Sequence, residues 1–406
     1  MTTHGKYRIL SLDGGGSWSL IQVKALQEIY GKDIGGHDLL SKFDFVAANS
    51  GGSIIAAALA EGLTLSQILD IFKNEANIRN VFVGLPWYKK LHLLGLAGIG
   101  PRYSTSAKLE GLKGFLPKIK DEELRAVPQI IFRNTGKEVH FLITAFDYDR
   151  QRAVFFRSNQ GSLSGSFPRQ NNIKMVDAIH ASSTAPINYF DKPAEISDYP
   201  VVSEYRSFWD GAVGAYNNPV LAAVIEALAN GKKPEDIVVL SIGTGSVFLP
   251  FEGEGETEHP ALMQKREIPS LIKDVRKMAT SILDDPPDAA TFIAHVVLKQ
   301  RLPAFEHEIP VTDGSVIRMN PLIQPVKKNG RWAAPDGVGI NDFEDLVQLD
   351  MDAMNQTQID TIERFSTAWL NNGVPNQSIR ANRKFVCEIG HDRFAKAKAT
   401  LINLIP

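Results

Sequence analysis

The chain has 406 residues, 44% of them hydrophobic and 22% charged, with a formal net charge of -2. That is the composition of a folded chain with enough apolar surface for a sizeable core. The near-neutral balance excludes a global field that would draw it to a nucleic-acid polymer or an anionic membrane, so any membrane contact is expected to be local. The single cysteine, Cys387, excludes an internal disulfide framework and a cysteine metal cluster. Residues 1–6 carry no charged-then-apolar leader pattern, and no apolar run reaches the ~20 residues of a membrane span. The expectation is a soluble, cytoplasmic protein of one large or two ordinary domains.

Tyr7–Leu12, YRILSL, predicts a strand that ends at Asp13-Gly14-Gly15-Gly16. Leu20, Val23, Leu26, Ile29 and Tyr30 then recur at helical spacing. A glycine loop between strand and helix presents successive backbone N–H groups at a helix N-terminus, which suits an anion. The dinucleotide pattern fails because Ser19 takes its third glycine position, and the P-loop fails for want of Gly-Lys-Ser/Thr. An oxyanion hole and a plain tight turn are the two readings left.

The stretch 43–60, FDFVAANSGGSIIAAALA, starts as a buried strand and ends in strong helix formers. The turn between them falls at Asn49-Ser50-Gly51-Gly52. A serine on a tight strand-to-helix turn is held out at the end of a sheet, beside the positive end of the helix. That is the nucleophile-elbow pattern G-x-S-x-G, with Ala48 at its first small position. A simple N-cap serine fits the same residues.

A further helix is expected from Thr64-Leu65-Ser66 through Phe72. Residues 81–96, VFVGLPWYKKLHLLGL, mix Trp87, Tyr88, Lys89 and Lys90 with aliphatic side chains. Both an interfacial membrane segment and a core-packed helix with two surface lysines have this composition. Residues 137–144 and 153–157 read as paired strands, and residues 175–181 as a helix leading into Ser182-Ser183-Thr184-Ala185-Pro186. Residues 206–209 form a short strand ending at Asp210-Gly211-Ala212. Asn217-Asn218-Pro219 opens a helix over Val220–Ala229, and Ile237–Ile242 is a buried strand ending at Gly243-Thr244-Gly245. Strands alternating with helices predict an α/β fold, a mostly parallel central sheet flanked by helices. Ligand sites in such sheets lie at the C-terminal strand ends, so Gly14–Gly16, Ser50, Asp210 and Gly243–Gly245 are expected to share one crevice. Farther on, residues 268–283 and 289–300 read as helices, and 317–324 as extended chain. Residues 343–370 read as amphipathic helices, and 380–405 as a basic, then apolar, helix.

Taken in order, Asp13-Gly14-Gly15-Gly16, Ala48-Asn49-Ser50-Gly51-Gly52, Ala181 to Pro186, Asp210-Gly211-Ala212 with Asn217-Asn218-Pro219, and Ser-Ile-Gly-Thr-Gly at 241–245 resemble the patatin-like phospholipase family. The resemblance covers roughly residues 6–245. It implies a lipid acyl hydrolase of the phospholipase A type, acting on membrane phospholipids through a Ser–Asp dyad without histidine. Carried over, the nucleophile is Ser50, the base is Asp210, and the oxyanion-hole amides are Gly14, Gly15 and Gly16. No metal or other cofactor is implied. Residues 1–330 would form the acyl hydrolase domain and 331–406 a helical C-terminal extension packed on it. The protein would be peripheral at the membrane when active. Bacterial members of this size resemble antiviral effectors that a cyclic nucleotide switches on. That leaves open a cyclic-nucleotide ligand and a homo-oligomer, with Lys327, Lys328, Arg380, Arg383 and Lys384 as an anion pocket or oligomer contact. The family's loop arginine is Trp18 here, and its next glycine is Ser19. Two alternatives stand beside this reading. One is a Ser-His-Asp esterase drawing on His259, His295, His307 or His391. The other is a weakly catalytic binding or storage protein, to which Trp18 points.

Overall fold

The β-branched and aliphatic run Tyr7–Leu12 becomes the strand β1 at the middle of the sheet. In the computed structural model, residues 5–86, 100–159, 173–196, 206–266, 288–298, 314–377, 379–382 and 385–405 are described. The main sheet is built from β1 (Tyr7–Leu12), β2 (Phe45–Ala48), β3 (His140–Asp147), β4 (Arg152–Arg157), β5 (Ala194–Ile196), β6 (Arg206–Asp210), β7 (Ile237–Ile242) and β8 (Val316–Met319). Its order is β5-β6-β3-β2-β1-β7-β8, with β4 paired to β3 off that path. From β3 to β8 the neighbours run parallel. The pairs β3–β4, β3–β6 and β5–β6 are antiparallel. The sheet is therefore mostly parallel, as expected, with an antiparallel margin. The two strands expected over 137–144 and 153–157 do pair with each other.

The parallel strands are buried on both sides, which is why they read as unbroken apolar runs rather than alternating ones. Leu10, Leu12, Val46 and Ala48 enter one core. Their neighbours Ile9, Phe45, Ala47 and Val239 enter the other. The first core is covered by α1 (Leu20–Tyr30), α2 (Ser50–Ala60), α3 (Leu65–Lys73), α4 (Thr105–Phe115) and α5 (Met175–Ser182). The second is covered by α6 (Val220–Ala229) and a helix over 288–297. Every residue of α2 is buried, in keeping with its all-small and aliphatic sequence. Gly52 lets α2 touch β1, since a Cβ there would lie 2.6 Å from the carbonyl oxygens of both Leu12 and Asp13. Thr64 and Gln67 form a capping box at the start of α3.

The C-terminal region contributes α7 (Ile340–Gln348), α8 (Gln356–Leu370) and α9 (Phe394–Leu404). Helix α8 packs on α1 and α3. Lys24 of α1 donates to Thr367 of α8, and Lys398 of α9 donates to Glu28 of α1. One expectation fails here. Ile379–Asn382 and Phe385–Ile389 are two antiparallel strands, and the helix begins only at Phe394. The run FVCEI is rich in β-branched and aromatic residues, and Gly390 at φ 95° breaks the chain before the helix. The expected helix over 268–283 and residues 87–96 of the tryptophan-bearing stretch lie outside the described residues. No described helix is long and apolar enough to cross a membrane.

Candidate active site

Strand β2 delivers Asn49 and Ser50 into the first turn of α2. Ser50 has φ 48°, a left-handed conformation that a non-glycine residue adopts at a local cost and that recurs at functional turns. Its N–H donates to Ser182 Oγ at 2.9 Å, and its hydroxyl lies near enough to the Asp210 carboxylate to favour that group's charged form. As the first residue of α2 it sits at the positive end of the helix dipole.

Asp210 arrives from the opposite direction. Strand β2 pairs with the first half of β3 and ends at Ala48↔Ile143, while antiparallel β6 pairs with the second half and ends at Ala145↔Asp210. The two strand ends therefore meet along β3, which brings together residues 160 positions apart. The Asp210 Oδ1 accepts from the Ala212 N–H and from Asn49 Nδ2, both at 2.9 Å. Burial pushes the Asp210 carboxyl above the usual carboxylate range, opposed by the Ala212 amide, the Ser50 hydroxyl, the Asn49 amide and the charge of Lys108. Gly211 is required beside it: a Cβ there would lie 2.4 Å from Asn49 Oδ1 and 2.5 Å from Thr144 Oγ1.

Asn49 is the hub between the two. Its Oδ1 accepts from Thr144 at 2.6 Å and from Ser182 at 3.4 Å, while its Nδ2 reaches Asp210 and Asn217. The turn after α5 also serves both residues, because Thr184 accepts the Asp210 N–H on its carbonyl at 2.8 Å. The motif Ser182-Ser183-Thr184-Ala185-Pro186 was visible in the sequence, but its task was not.

The glycine loop faces the same spot. The Gly14 N–H donates to the Asn217 carbonyl at 2.9 Å, which orients the loop and occupies that amide. The N–H groups of Gly15 and Gly16 have no acceptor among the described residues, and that of Gly51 belongs to the open first turn of α2. A Cβ on Gly51 would lie 2.8 Å from the Gly16 carbonyl and 2.1 Å from Ser19 Oγ. The glycine therefore allows the loop to approach the elbow. Thr244 Oγ1 donates to the Gly14 carbonyl at 2.9 Å. Gly14–Gly16, Ser50, Asp210 and the Gly243–Gly245 turn thus come together at one end of the sheet.

Two anchors hold the loop from behind. Arg318 of β8 makes a two-pronged ion pair with Asp13, at 2.9 and 2.6 Å, and also donates to Ser241. Both partners are buried. Burial pushes the Asp13 carboxyl up, while the charge and hydrogen bonds of Arg318 pull against it. Arg318 was legible only as a lone charge in an apolar strand. Trp18, at the family's arginine position, is buried and donates to the Asp350 carbonyl at 3.1 Å. Ser17 donates to the Met351 carbonyl through both its N–H and its hydroxyl at 3.0 Å. The segment between α7 and α8 therefore braces the loop.

The groups that hold Asp210 include no histidine among the described residues. The His259 side chain caps Ala261, His391 pairs with Thr400, and His295 is buried on the helix over 288–297. His307 lies outside the described residues. Lys328 pairs with Asp336, and Lys327 lies over the Trp332 ring. Arg383 and Lys384 lie outside the described residues. No group of three metal-ligating side chains occurs among the described residues.

The strand–glycine loop–helix start, the serine elbow and the aspartate beside it form the motif arrangement of a patatin-like protein. The family model of patatin-like phospholipases matches residues 10–224, more than half of the chain, and the chain belongs to that family. It is 26% identical over 275 residues to a cGAMP-activated phospholipase of Escherichia coli strain TW11681, covering 64% of this chain and 66% of that protein. It is 26% identical over 257 residues to a cGAMP-activated phospholipase of Vibrio cholerae serotype O1, covering 58% and 64%. A cUMP-AMP-activated phospholipase of Escherichia coli is 25% identical over 253 residues, covering 61% and 67%. The chain spans just under two thirds of the length of the first of these relatives. Among solved structures, VipD from Legionella pneumophila aligns over 89% of this chain and 67% of that one, with 11% identity and a TM-score of 0.36.

Proposed function

We propose that the protein is a lipid acyl hydrolase that cleaves fatty-acyl esters of membrane phospholipids, with Ser50 as nucleophile and Asp210 as base. The observation that carries this reading is Ser50 on a strained elbow, with the buried Asp210 carboxylate tied to the neighbouring Asn49 and the free amides of the glycine loop facing it. Ser50 Oγ attacks the ester carbonyl while Asp210 takes its proton. The negative oxygen of the tetrahedral intermediate is held by the Gly15 and Gly16 N–H groups and the positive end of α2. Gly14, with its amide on Asn217, keeps the loop in place. Collapse breaks the ester C–O bond, and Asp210 returns the proton to the departing lysophospholipid oxygen. A water then gives its proton to Asp210, attacks the acyl-serine and releases the fatty acid, and Asp210 re-protonates Ser50.

The base must be ionised to act. Because burial raises its pKa, protonation sets in at a higher pH than for an exposed aspartate. The acid limb of kcat/KM is therefore expected above the ordinary carboxylate range, with activity falling as pH drops through it. A limb at or below that range would mean that the interactions holding Asp210 outweigh its burial.

The named relatives are activated by cyclic dinucleotides, and we extend that to this chain as the mode of control. The test is fatty-acid release from mixed phosphatidylethanolamine–phosphatidylglycerol vesicles, with and without a panel of cyclic dinucleotides. Release that appears only with one of them supports both parts. Release without any retires the control, and no release with folded protein and every ligand retires the lipase.

A further inference from the structure

Lys108 lies on α4 with its side chain wholly buried. Its Nζ lies 3.0 Å from the His180 carbonyl, 3.1 Å from Ser183 Oγ and 2.5 Å from Thr184 Oγ1. It also sits 4.4 Å from the centroid of the Phe190 ring. Each of the three oxygens can only accept. The carbonyl has no proton, Ser183 spends its own on the Ile179 carbonyl, and Thr184 spends its own on the His180 carbonyl. Satisfying three acceptors takes three N–H bonds. An ammonium has three, whereas a neutral amine has two. The aromatic face adds a further attraction for a cation. Burial works against this charge, but the hydrogen-bond geometry requires it.

The ionisable groups around Lys108 come from several elements. Asp210 on β6 is the carboxylate whose charge acts on it. His180 on α5 is held neutral by burial, assisted by the nearby charges of Lys108, Lys113 and Lys192. Lys113 pairs with Glu110, and Lys192 with Glu195. Asp191 accepts the Thr105 N–H. The buried cation thus has the buried Asp210 as its counter-charge, and the two are joined by a single residue: Lys108 grips Thr184, whose carbonyl holds the Asp210 N–H. The same turn holds the Ser50 N–H through Ser182.

We propose that Lys108 is a positioning residue of the dyad, a buried ammonium that clamps the 182–184 turn and keeps the Asp210 carboxylate ionised to accept the Ser50 proton. This rests on the reading of Ser50 and Asp210 as nucleophile and base. Neither Lys108 nor its spacing to any motif signals the role in the sequence.

The experiment is the rate of Ser50 labelling by a fluorophosphonate across pH, in wild type, Lys108→Met, Lys108→Arg and Asp210→Asn. Removing the cation raises the affinity of Asp210 for a proton. The acid limb of the Met variant should therefore move to higher pH by about one unit or more, while the Arg variant keeps the wild-type limb. A folded Met variant that labels slowly at every pH with its limb unmoved would make Lys108 structural only and overturn the proposal. In that case slow labelling of Asp210→Asn leaves the dyad standing. Wild-type labelling of Asp210→Asn sinks the dyad and this proposal together. Should Lys108→Met not fold, nitrogen-15 spectra of lysine-labelled wild type decide the matter, Lys108 being the lysine whose signal shifts in Asp210→Asn. An ammonium signature at neutral pH supports the proposal, and an amine signature overturns it.

Discussion

Replacing Ser50 by alanine is expected to reduce ester hydrolysis by about a thousandfold or more and to abolish fluorophosphonate labelling, because it removes the hydroxyl proposed as the nucleophile. The fold should survive. Alanine inherits the backbone position of the serine and loses only the hydroxyl. Ser50→Gly makes the sharper comparison. At φ 48°, a glycine relieves the left-handed strain, worth about 1 kcal/mol, so that variant should be inert and yet at least as resistant to urea. Asp210→Asn should lose activity on a similar scale, since an amide cannot take the proton. Steady-state turnover, labelling and urea midpoints on the same preparations separate the outcomes. Normal turnover in Ser50→Ala would end the assignment of the nucleophile. A Ser50→Gly variant that unfolds early would show that the serine side chain holds the elbow rather than strains it.

Breaking the Arg318–Asp13 pair should produce the largest loss of stability. The guanidinium is buried and donates twice to a buried carboxylate. Arg318→Met leaves that carboxylate without its counter-charge, at a cost of about 3–5 kcal/mol. The sign with pH is diagnostic. Burial already holds the folded-state pKa of Asp13 above its ordinary value with Arg318 in place, and without Arg318 it rises further. The penalty is then small in acid and grows as pH rises from the folded-state pKa of the wild type through that of the variant. The double variant Arg318→Met with Asp13→Leu should recover much of the loss, because no charge is left buried. Urea unfolding at several pH values tests this. A pH-independent deficit, or no rescue by the double variant, would mean that packing rather than charge is lost. Asp13 leads directly into Gly14, so activity is expected to fall with stability in the single variant.

The parts of this protein that obey local rules were legible in the sequence. Tyr7–Leu12 and Ile237–Ile242 form strands with the bounds expected of them, because a fully buried parallel strand must be an unbroken apolar run. Val220–Ala229 is the helix its sequence describes. The Gly14–Gly16 loop and the Ser50 elbow were readable because each needs small residues where backbones approach one another. Asp210 was found through the motif resemblance rather than through geometry. The strand pair Ile379–Asn382 and Phe385–Ile389 was misread because its basic residues followed by an apolar run gave the composition of a helix.

What the sequence could not express was the joining of distant segments. That β6 runs against β3, so that Asp210 meets the end of β2, is a fact of topology. The Gly14 amide is occupied by Asn217, and nothing in a glycine triplet says which N–H will be free. Arg318 reaches Asp13 across 305 residues, and Lys108 reaches Thr184 across 76. A buried charge is an expense in any local account and becomes sensible only beside its counter-charge. The local chain thus determined the strands, the turns and the serine elbow. The tertiary structure alone decided which amides are open, which charges are paired and what surrounds the Asp210 carboxylate.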